Sequence, residues 1–504
     1  MGSPEKIFDA IVIGAGVVGP AIATALARQG RDVLIVERDW SIPDRIVGEL
    51  MQPAGLKALR ELGMIQAINN IEATHEVGYY IKFNNEELIL KYPLKQDANT
   101  TNPVKPVPSC VFGDNDKLLT DSTLNSQEWD ADERVRGASF HHGVFLDNLR
   151  NIVKNERNVD WLEGNVTNIL RNDEDPNVII GVKVKVKGEN DKDEPEFKRY
   201  YSKLTICCDG IYSKFRKELS PTNIPTIGSY FVGLHLIDAQ LPAKHHGHVI
   251  LGDHAPILIY QISPKETRIL CAYRSNKPPS QSNDELYNYL KSHVLPYVPK
   301  ETAPSFREAL ETRRFRVMPN QYLPALKQGN VSHQGLIMLG DSLNMRHPLT
   351  GGGMTVGLND AVLLSRLLSP KQIEDFEDYE LLSKRLGQFH RQRKNLDAVI
   401  NTLSIALYAL FAADNVALKI LQKGCFKYFL LGGSCVSGPI GLLSGMLPFP
   451  MILFNHFFSV AFYAIYCNCI ERGLLGAPLA CIEAFQTIFT AIYIFTPYLW
   501  NELV

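Results

Sequence analysis

The sequence predicts an α/β fold in three parts, and three observations support this. A G-x-G-x-x-G motif at residues 14–19 lies between a strand-like run and a helix-like run. Several short apolar runs between residues 220 and 330 have the spacing of a mostly antiparallel sheet. After Lys427 no Asp, Glu, Lys or Arg occurs until Glu471. Together they predict a Rossmann-type domain, a domain with a mixed or antiparallel sheet, and an apolar helical C-terminal region.

The first predicted unit covers residues 7–37 and reads as strand, glycine turn, helix and strand. FDAIVIG is rich in β-forming residues, and VVGPAIATALARQG has helical character. Gly30 ends the predicted helix before the second strand, DVLIVE. This order is that of the first half of a dinucleotide-binding domain.

The three glycines of the motif have separate predicted tasks. Gly14 makes the tight turn, Gly16 lets the backbone approach a pyrophosphate, and Gly19 allows close helix–strand packing. Glu37 closes the second strand, where a carboxylate accepts hydrogen bonds from an adenosine ribose. A carboxylate there would repel a 2′-phosphate, so the residues leave FAD or NAD as the predicted ligand.

Two further motifs favour FAD. LTICCDG reads as a strand ending in Asp209, and GLIMLGD as a strand ending in Asp341, which is well placed to hydrogen-bond a flavin's polyol chain. A run of three glycines follows and then a predicted helix. After Gly353, the free N–H groups of this helix can stabilise negative charge on a reduced flavin, with the Met354 N–H as a donor.

These motifs divide the chain into six predicted segments. The FAD-binding domain comprises residues 1–94, 137–215 and 331–375. Residues 95–136 are a polar surface insertion, residues 216–330 the substrate-binding sheet domain, and residues 376–504 the C-terminal helical membrane-associated region.

The C-terminal region is predicted to associate with a membrane. Residues 451–470 are apolar for long enough to cross a bilayer, and a second apolar run covers residues 474–500. The basic run at residues 383–394 precedes them, and aromatic residues crowd them. A buried pair of core helices is the alternative, and the residues leave spanning and one-leaflet insertion equally open.

Composition excludes several other classes. A formal net charge of −2 over 504 residues argues against nucleic acid as a partner. Nine cysteines show neither a disulfide framework nor a zinc spacing, so we expect reduced thiols and no metal. The N-terminus lacks a secretory signal pattern.

Longer strings give the sequence a family resemblance. IVGELMQPAGLKALRELGM, ASFHHGVFLDNLR, CCDGIYSKFRKEL, PILIYQIS, GDSLNMRHPLTGGGMTV and LGGSCVSGPIGLLSG resemble the fungal-type squalene monooxygenases (squalene epoxidases), within the FAD-dependent aromatic-hydroxylase-like class. The resemblance runs from about Ile7 to the C-terminus, apart from residues 95–136. Val144 departs from it, because the family usually has arginine after HHG.

The resemblance also implies particular site residues. It implies FAD contacts from Val17, Val18, Glu37, Arg38, Arg45, Arg150, Val166, Asp341 and Met354. It points to Tyr79 as a catalytic residue, with Gln52 as its hydrogen-bond partner beside the flavin. Tyr260 is a further candidate for the wall of the substrate pocket.

The implied activity is epoxidation of squalene to (S)-2,3-oxidosqualene, a step of sterol biosynthesis, through a C4a-hydroperoxyflavin formed with O2. The implied partners are an NADPH–cytochrome reductase as electron donor and membrane lipid at the C-terminal region. The implied location is the cytosolic face of the endoplasmic reticulum membrane, with lipid droplets as a second site.

Two other functions and three tasks for the basic run stay open at this point. A flavin aromatic hydroxylase would take hydride directly from NADPH, and a prenyl-binding GTPase chaperone would share the first glycine motif without binding flavin. The cations of residues 383–394 could face an acidic reductase, anionic lipid or water.

Overall fold

The computed structural model describes the chain apart from a few stretches. The described residues are 6–46, 48–94, 134–186, 196–273, 275, 277–280, 284–329 and 331–503. Most of the predicted insertion at residues 95–136 lies outside them.

The strands of the described residues form three sheets. In chain order they are β1 (Ile7–Ile13), β2 (Val33–Glu37), β3 (Leu50–Met51), β4 (Thr74–Glu76), β5 (Gly78–Phe83), β6 (Glu86–Lys91), β7 (Gly137–Ser139), β8 (Val159–Glu163), β9 (Asn165–Arg171), β10 (Ile179–Val186), β11 (Glu196–Cys207), β12 (Thr226–Ile237), β13 (His246–Leu251), β14 (Ile257–Gln261), β15 (Glu266–Tyr273), β16 (Arg316–Tyr322) and β17 (Leu336–Met338).

The α-helices of the described residues lie around the sheets and in the C-terminal region. They are α1 (Val18–Arg28), α2 (Pro53–Glu61), α3 (His142–Lys154), α4 (Lys214–Leu219), α5 (Glu285–Tyr289), α6 (Ala303–Glu311), α7 (Gly352–Leu367), α8 (Tyr379–Ala412), α9 (Val416–Leu430), α10 (Ser434–Leu443), α11 (Pro450–Arg472) and α12 (Ala477–Leu503).

The first sheet is the predicted nucleotide-binding sheet. Its order is β8-β2-β1-β11-β10-β9, and β17 also pairs with β11. Strands β8, β2, β1, β11 and β17 are parallel, whereas β10 and β9 are antiparallel. Because parallel strands share one carboxyl edge, the glycine motif, Glu37, Asp209 and Asp341 all follow strands at the same edge.

The second sheet has the order β16-β12-β15-β14-β13-β5-β6 and is antiparallel except between β13 and β5. Strands β5 and β6 come from the stretch 1–94, which the sequence assigned to the FAD-binding domain. The sheets therefore do not follow that predicted boundary. The reason is packing: the β5–β6 hairpin buries Tyr79, Ile81 and Leu90 in the core of the second sheet.

The apolar C-terminal region divides into packed and exposed helices. Within the part of the chain that the structure describes, three helices are long and apolar enough to cross a membrane, namely α8, α11 and α12. The apolar window of α8 is 61% buried inside the protein, whereas those of α11 and α12 are 17% and 28% buried. Helix α8 is therefore a core helix, and α11 and α12 offer an exposed apolar surface.

The prediction that the cations of residues 383–394 face a reductase, lipid or water is wrong for Arg393. Arg393 faces neither a partner, lipid nor water, because its side chain is 1% exposed. Its guanidinium donates to both carboxylate oxygens of Asp360 at 3.0 and 2.6 Å and pairs with Asp397 one turn along α8. A sequence window cannot separate this inward cation from Arg391, which is exposed.

Candidate functional site

A cavity of about 530 Å³ lies between the first and second sheets. Several residues singled out from the sequence line it: Gly16, Val17, Val18, Arg45, Tyr79, Tyr260, Asp341, Gly353 and Met354. The cavity therefore joins the glycine motif, the strand end at Asp341 and the glycine run to the second sheet.

The glycine motif folds as a turn that tolerates no side chain at two of its positions. Gly14 has φ +98°, and a Cβ there would lie 2.6 Å from the carbonyl oxygen of Cys208. A Cβ at Gly19 would lie 1.9 Å from the carbonyl oxygen of Gly14. At Gly16, by contrast, a Cβ would meet no atom within 4 Å, so the bare backbone there faces the open cavity.

The glycine run, on the other side of the cavity, also has positions that tolerate no side chain. Gly351 has φ +61°, and a Cβ at Gly352 would lie 2.3 Å from the Ile400 side chain. Helix α7 begins at Gly352, two residues earlier than expected, so Gly353 and Met354 lie in its first turn. Their N–H groups are among those that a helix leaves without partners in its own ladder. A Cβ at Gly353 would meet no atom within 4 Å, as at Gly16.

Glu37 and Arg150 brace the first glycine loop. Glu37 accepts a hydrogen bond from the Ala15 N–H at 2.6 Å. The Arg150 guanidinium donates to the carbonyl oxygens of Ala15 and Ser41 at 2.9 and 2.8 Å. Its side chain lies 3.9 Å from the Glu37 carboxylate, and neither residue lines the cavity.

Several other predicted contacts lie away from the cavity lining. Arg38 is exposed, and Val166 is buried in β9 opposite Val184. Asp209 accepts a hydrogen bond from the Lys214 N–H at 3.1 Å, and burial raises the pKa of its carboxyl. Val144, the departure from the family pattern, is 39% exposed on α3.

Asp341 faces the cavity with an accessible carboxylate. Desolvation by the surrounding protein raises its pKa, and the nearby guanidinium groups of Arg346, Arg45 and Arg216 oppose that rise. The Asp341 carboxylate is both accessible and desolvated because its exposed surface opens onto the cavity and not onto the outer surface of the protein. A carboxylate in this position can accept hydrogen bonds from hydroxyl groups of a ligand.

Gln52 and Tyr79 are hydrogen-bonded, as the family resemblance implies. Gln52 Nε2 donates to the Tyr79 hydroxyl at 2.5 Å and to the Thr350 carbonyl oxygen at 2.6 Å. The Tyr92 hydroxyl donates to Gln52 Oε1 at 2.7 Å. Burial raises the pKa of Tyr79 to about 12, so this phenol stays protonated at neutral pH. Sequence reasoning missed Tyr92 and Thr350, and neither carries a local signal.

A buried ion pair lies at the wall of the cavity. Arg268 donates to both oxygens of Glu49 at 2.8 Å, and the Tyr260 hydroxyl lies 3.4 Å from the same carboxylate. The pair ties the residue before β3 to β15 of the second sheet. Sequence reasoning missed it, although a charged residue inside the apolar run TRILCAYR is a usable signal.

His142 fixes the loop that passes the glycine run. Its Nδ1 lies 2.9 Å from the Gly48 carbonyl oxygen, which can only accept, so Nδ1 carries the hydrogen. Burial lowers the pKa of His142 to about 4, which keeps the imidazole neutral. The sequence contained this residue in the HHG string but gave it no role.

The cavity wall formed by the second sheet is largely apolar. Its apolar side chains include Val249, Leu258, Leu270, Val317 and Met318, and Ile46, Leu50 and Leu349 from neighbouring segments extend the apolar lining. The same cavity is therefore lined by exposed glycine backbone on one side and by apolar side chains, here called the apolar chamber, on the other. Among the described residues no group of three or more His, Cys, Asp or Glu could hold a metal ion.

Glu76 is a buried carboxyl behind this wall, and it makes stability depend on pH. Burial raises its pKa to about 8. Between the unfolded value near 4.5 and about 8, the folded protein holds one more proton than the unfolded chain, so stability falls as pH rises through this window. We expect Glu76→Gln to remove this fall, with a gain of up to about 5 kcal/mol at pH 8.

Unfolding in detergent between pH 5 and 8.5 measures the effect. The free-energy difference between Glu76→Gln and the parent protein must grow in favour of the variant as pH rises. A difference that stays constant across the range would show that Glu76 ionises normally in the folded protein.

Comparisons with known proteins agree with this architecture. The squalene epoxidase family model matches residues 201–482. The chain is 69% identical to squalene epoxidase ERG1 of Candida albicans over 99% of both chains. It is 36% identical to squalene monooxygenase of Rattus norvegicus over 98% of this chain and 78% of the rat protein.

Solved structures show the same fold at low identity. p-Nitrophenol 4-monooxygenase PnpA from Pseudomonas putida DLL-E4 is 15% identical with a TM-score of 0.62, covering 90% of this chain and 98% of its own. The myxobacterial chondrochloren halogenase CndH, a FAD-dependent halogenase, is 14% identical with a TM-score of 0.56, covering 91% and 98%. The fold is therefore that of flavin-dependent monooxygenases and halogenases, and by sequence the chain belongs to the squalene epoxidase family.

Proposed function

We propose that this protein is a FAD-dependent monooxygenase that converts squalene and O2 to (S)-2,3-oxidosqualene for sterol biosynthesis. The observation that carries the proposal is that one cavity combines a largely apolar wall with the bare glycine backbone at Gly16 and Gly353. Squalene is a hydrocarbon without polar groups, so an apolar wall is the complement it requires. Family membership supports the same reaction.

The residues present fit FAD. Gly16, Gly210 and Gly353 all line the cavity, and a Cβ at each would meet no atom within 4 Å, so a flat or extended ligand can lie against the backbone. We assign the pyrophosphate to the Gly16–Val18 turn and the polyol hydroxyls to Asp341. The N–H groups of Gly353 and Met354 would hold the electron-rich end of the flavin.

Bound FAD, reduced with two electrons from the donor, would supply the activation of O2, with one oxygen atom passing to the alkene and the other leaving as water. The chain's own task is to orient one terminal double bond and to exclude water. The apolar side chains of the second sheet do both, because they leave a hydrocarbon few alternatives and offer water few partners. The Tyr79 hydroxyl lines the apolar chamber and stays protonated at neutral pH.

We also propose an external electron donor and a membrane site. An NADPH–cytochrome reductase would supply electrons, as the family resemblance implies. The exposed apolar surface of α11 and α12 would lie in membrane lipid, where squalene dissolves. The cytosolic face of the endoplasmic reticulum and lipid droplets are the proposed locations, because both offer lipid beside cytosolic reductant.

The turn between α11 and α12 gives a direct test of the membrane proposal. Leu474 and Leu475 are 96% and 102% exposed. We expect Leu474→Glu with Leu475→Glu to reduce flotation with lipid vesicles at least about tenfold, because each leucine transferred to lipid contributes roughly 2 kcal/mol. Deleting the C-terminal helices from α9 onward is a poorer test, because it would also remove a core contact of the second sheet. Phe426 of α9 packs on Phe83 of β5 with ring centroids 5.4 Å apart.

The matched control for this test is Ile237→Glu, at an apolar side chain 50% exposed at the end of β12. It should leave flotation unchanged. Equal loss in both variants would contradict docking through the α11–α12 turn.

The experiment that tests the proposed function follows squalene turnover by detergent-solubilised protein with FAD and NADPH, with and without reductase. We expect 2,3-oxidosqualene only when the reductase is present. Rapid bleaching of the flavin by NADPH alone, without epoxide, would instead favour an aromatic hydroxylase.

A further inference from the structure

The Gln52 side chain uses both of its N–H hydrogens and its carbonyl oxygen in hydrogen bonds. An amide carries two N–H hydrogens and one carbonyl oxygen. Both hydrogens are committed, to the Tyr79 hydroxyl and to the Thr350 carbonyl oxygen. The carbonyl oxygen of Gln52 accepts from Tyr92. The amide therefore has one orientation, because a flip would set its oxygen against the Thr350 oxygen and its nitrogen against the Tyr92 donor.

The same count determines the direction of each phenolic hydrogen. Tyr92 spends its only hydroxyl hydrogen on Gln52. Tyr79 receives a hydrogen from Gln52, so its own hydrogen must point elsewhere. The Tyr92 oxygen is 3.5 Å away, beyond the range of a good O–H···O hydrogen bond. Because Tyr79 lines the cavity, its hydrogen is left for an acceptor inside the cavity.

The fold holds Tyr92 firmly in this place. Its backbone N–H donates to the Val77 carbonyl oxygen at 2.9 Å, and its own carbonyl oxygen accepts from Arg134 at 2.7 Å. Its ring packs edge-on against Tyr79 with centroids 5.9 Å apart. Gln52 precedes Pro53 at the start of α2, and its side chain makes no cap to that helix. Its amide is thus free for the tyrosines.

We propose that Tyr92 is a positioning residue that acts through Gln52 to present the Tyr79 hydroxyl as a hydrogen-bond donor to the cavity. This rests on the proposed function, in which flavin and oxygen lie in that cavity. Through Thr350 the same amide also holds the residue before the glycine run. One buried side chain thereby couples the donor of the second sheet to the cradle at Gly351–Gly353.

The test compares Tyr92→Phe, Tyr79→Phe and the double variant. We expect Tyr79→Phe to lower kcat about a hundredfold, as loss of a preorganised donor does. Tyr92→Phe should lower kcat about tenfold, with the KM for squalene within about twofold. The double variant should be no slower than Tyr79→Phe, since both changes remove the same donor. The matched control is Tyr80→Phe, at the neighbouring position of β5, whose ring packs on His248 in the other core of the second sheet.

A spectroscopic readout separates positioning from mere support. The visible absorption spectrum of bound FAD should shift in Tyr79→Phe, shift in the same direction in Tyr92→Phe, and stay unchanged in Tyr80→Phe. Gln52→Glu supplies a second variant, because its carboxylate accepts from both tyrosines and should reproduce the spectrum of Tyr79→Phe. A Tyr92→Phe spectrum and kcat equal to those of the parent protein would overturn the proposal. So would multiplicative losses in the double variant. Flavin bound without any epoxidation would overturn the proposed function alone, since the spectra still decide the role of Tyr92.

Discussion

Replacing Gly19 with alanine is expected to lower the affinity for FAD by roughly a hundredfold, about 2.7 kcal/mol. The added Cβ would lie 1.9 Å from the Gly14 carbonyl oxygen, inside the contact distance of any two atoms. Helix α1 must then move away from the turn that precedes it. Since Gly14 is itself fixed against Cys208, the displacement falls on the Gly16–Val18 backbone that faces the cavity.

Fluorescence quenching of FAD titrated with apoprotein measures this loss. Gly228→Ala is the matched control, because a Cβ there meets no atom within 4 Å and the backbone needs no left-handed conformation. Unchanged FAD affinity in Gly19→Ala would mean that the first glycine loop does not hold the cofactor.

Replacing Arg393 with methionine is expected to cost about 3–5 kcal/mol of unfolding free energy. The change leaves the carboxylates of Asp360 and Asp397 buried without their cation, and their side chains are 4% and 1% exposed. The pair of Arg393 and Asp360 joins α8 to α7, which starts at the glycine run. We therefore expect weaker FAD binding to accompany the loss of stability.

Chemical unfolding in detergent measures this effect, with Arg391→Met as the control. Arg391 lies two residues away and is exposed, so its loss should change stability by less than about 0.5 kcal/mol. Adding Asp360→Leu and Asp397→Leu to Arg393→Met should recover much of the stability, because no buried charge then remains unpaired. Equal effects of the two arginine variants would contradict the buried triad.

The sequence anticipated the local features of the fold well. The β1–α1–β2 unit was predicted because its periodicity switches from strand to helix around glycines that only one backbone path accommodates. The antiparallel character of the 220–330 region and the apolar C-terminal helices were predicted for the same kind of reason, a pattern readable within about twenty residues.

Non-local partners escaped the sequence. Nothing near Tyr79 shows that β5 pairs with β13, about 170 residues further along the chain. Arg393 stands in a run of surface-like cations, and only the packing of α8 on α7 turns it inward. Tyr92 becomes meaningful only once Gln52 and Thr350 stand beside it. Partners far apart in sequence need the fold before their chemistry can be read.

Family membership bears on the two alternatives. This chain shares its fold with p-nitrophenol 4-monooxygenase PnpA, but at only 15% identity. A prenyl-binding chaperone has no need of the glycine run or Asp341. Neither is favoured beside 69% identity to a squalene epoxidase over nearly the whole chain.

The most direct test of the central claim is to follow oxygen from isotopically labelled O2 into the product. Detergent-solubilised protein with bound FAD is incubated with squalene, NADPH, reductase and labelled O2, and the product is analysed by mass spectrometry. We expect 2,3-oxidosqualene carrying one labelled oxygen atom. Flavin-loaded protein that forms no epoxide, or an epoxide without label, would contradict the account.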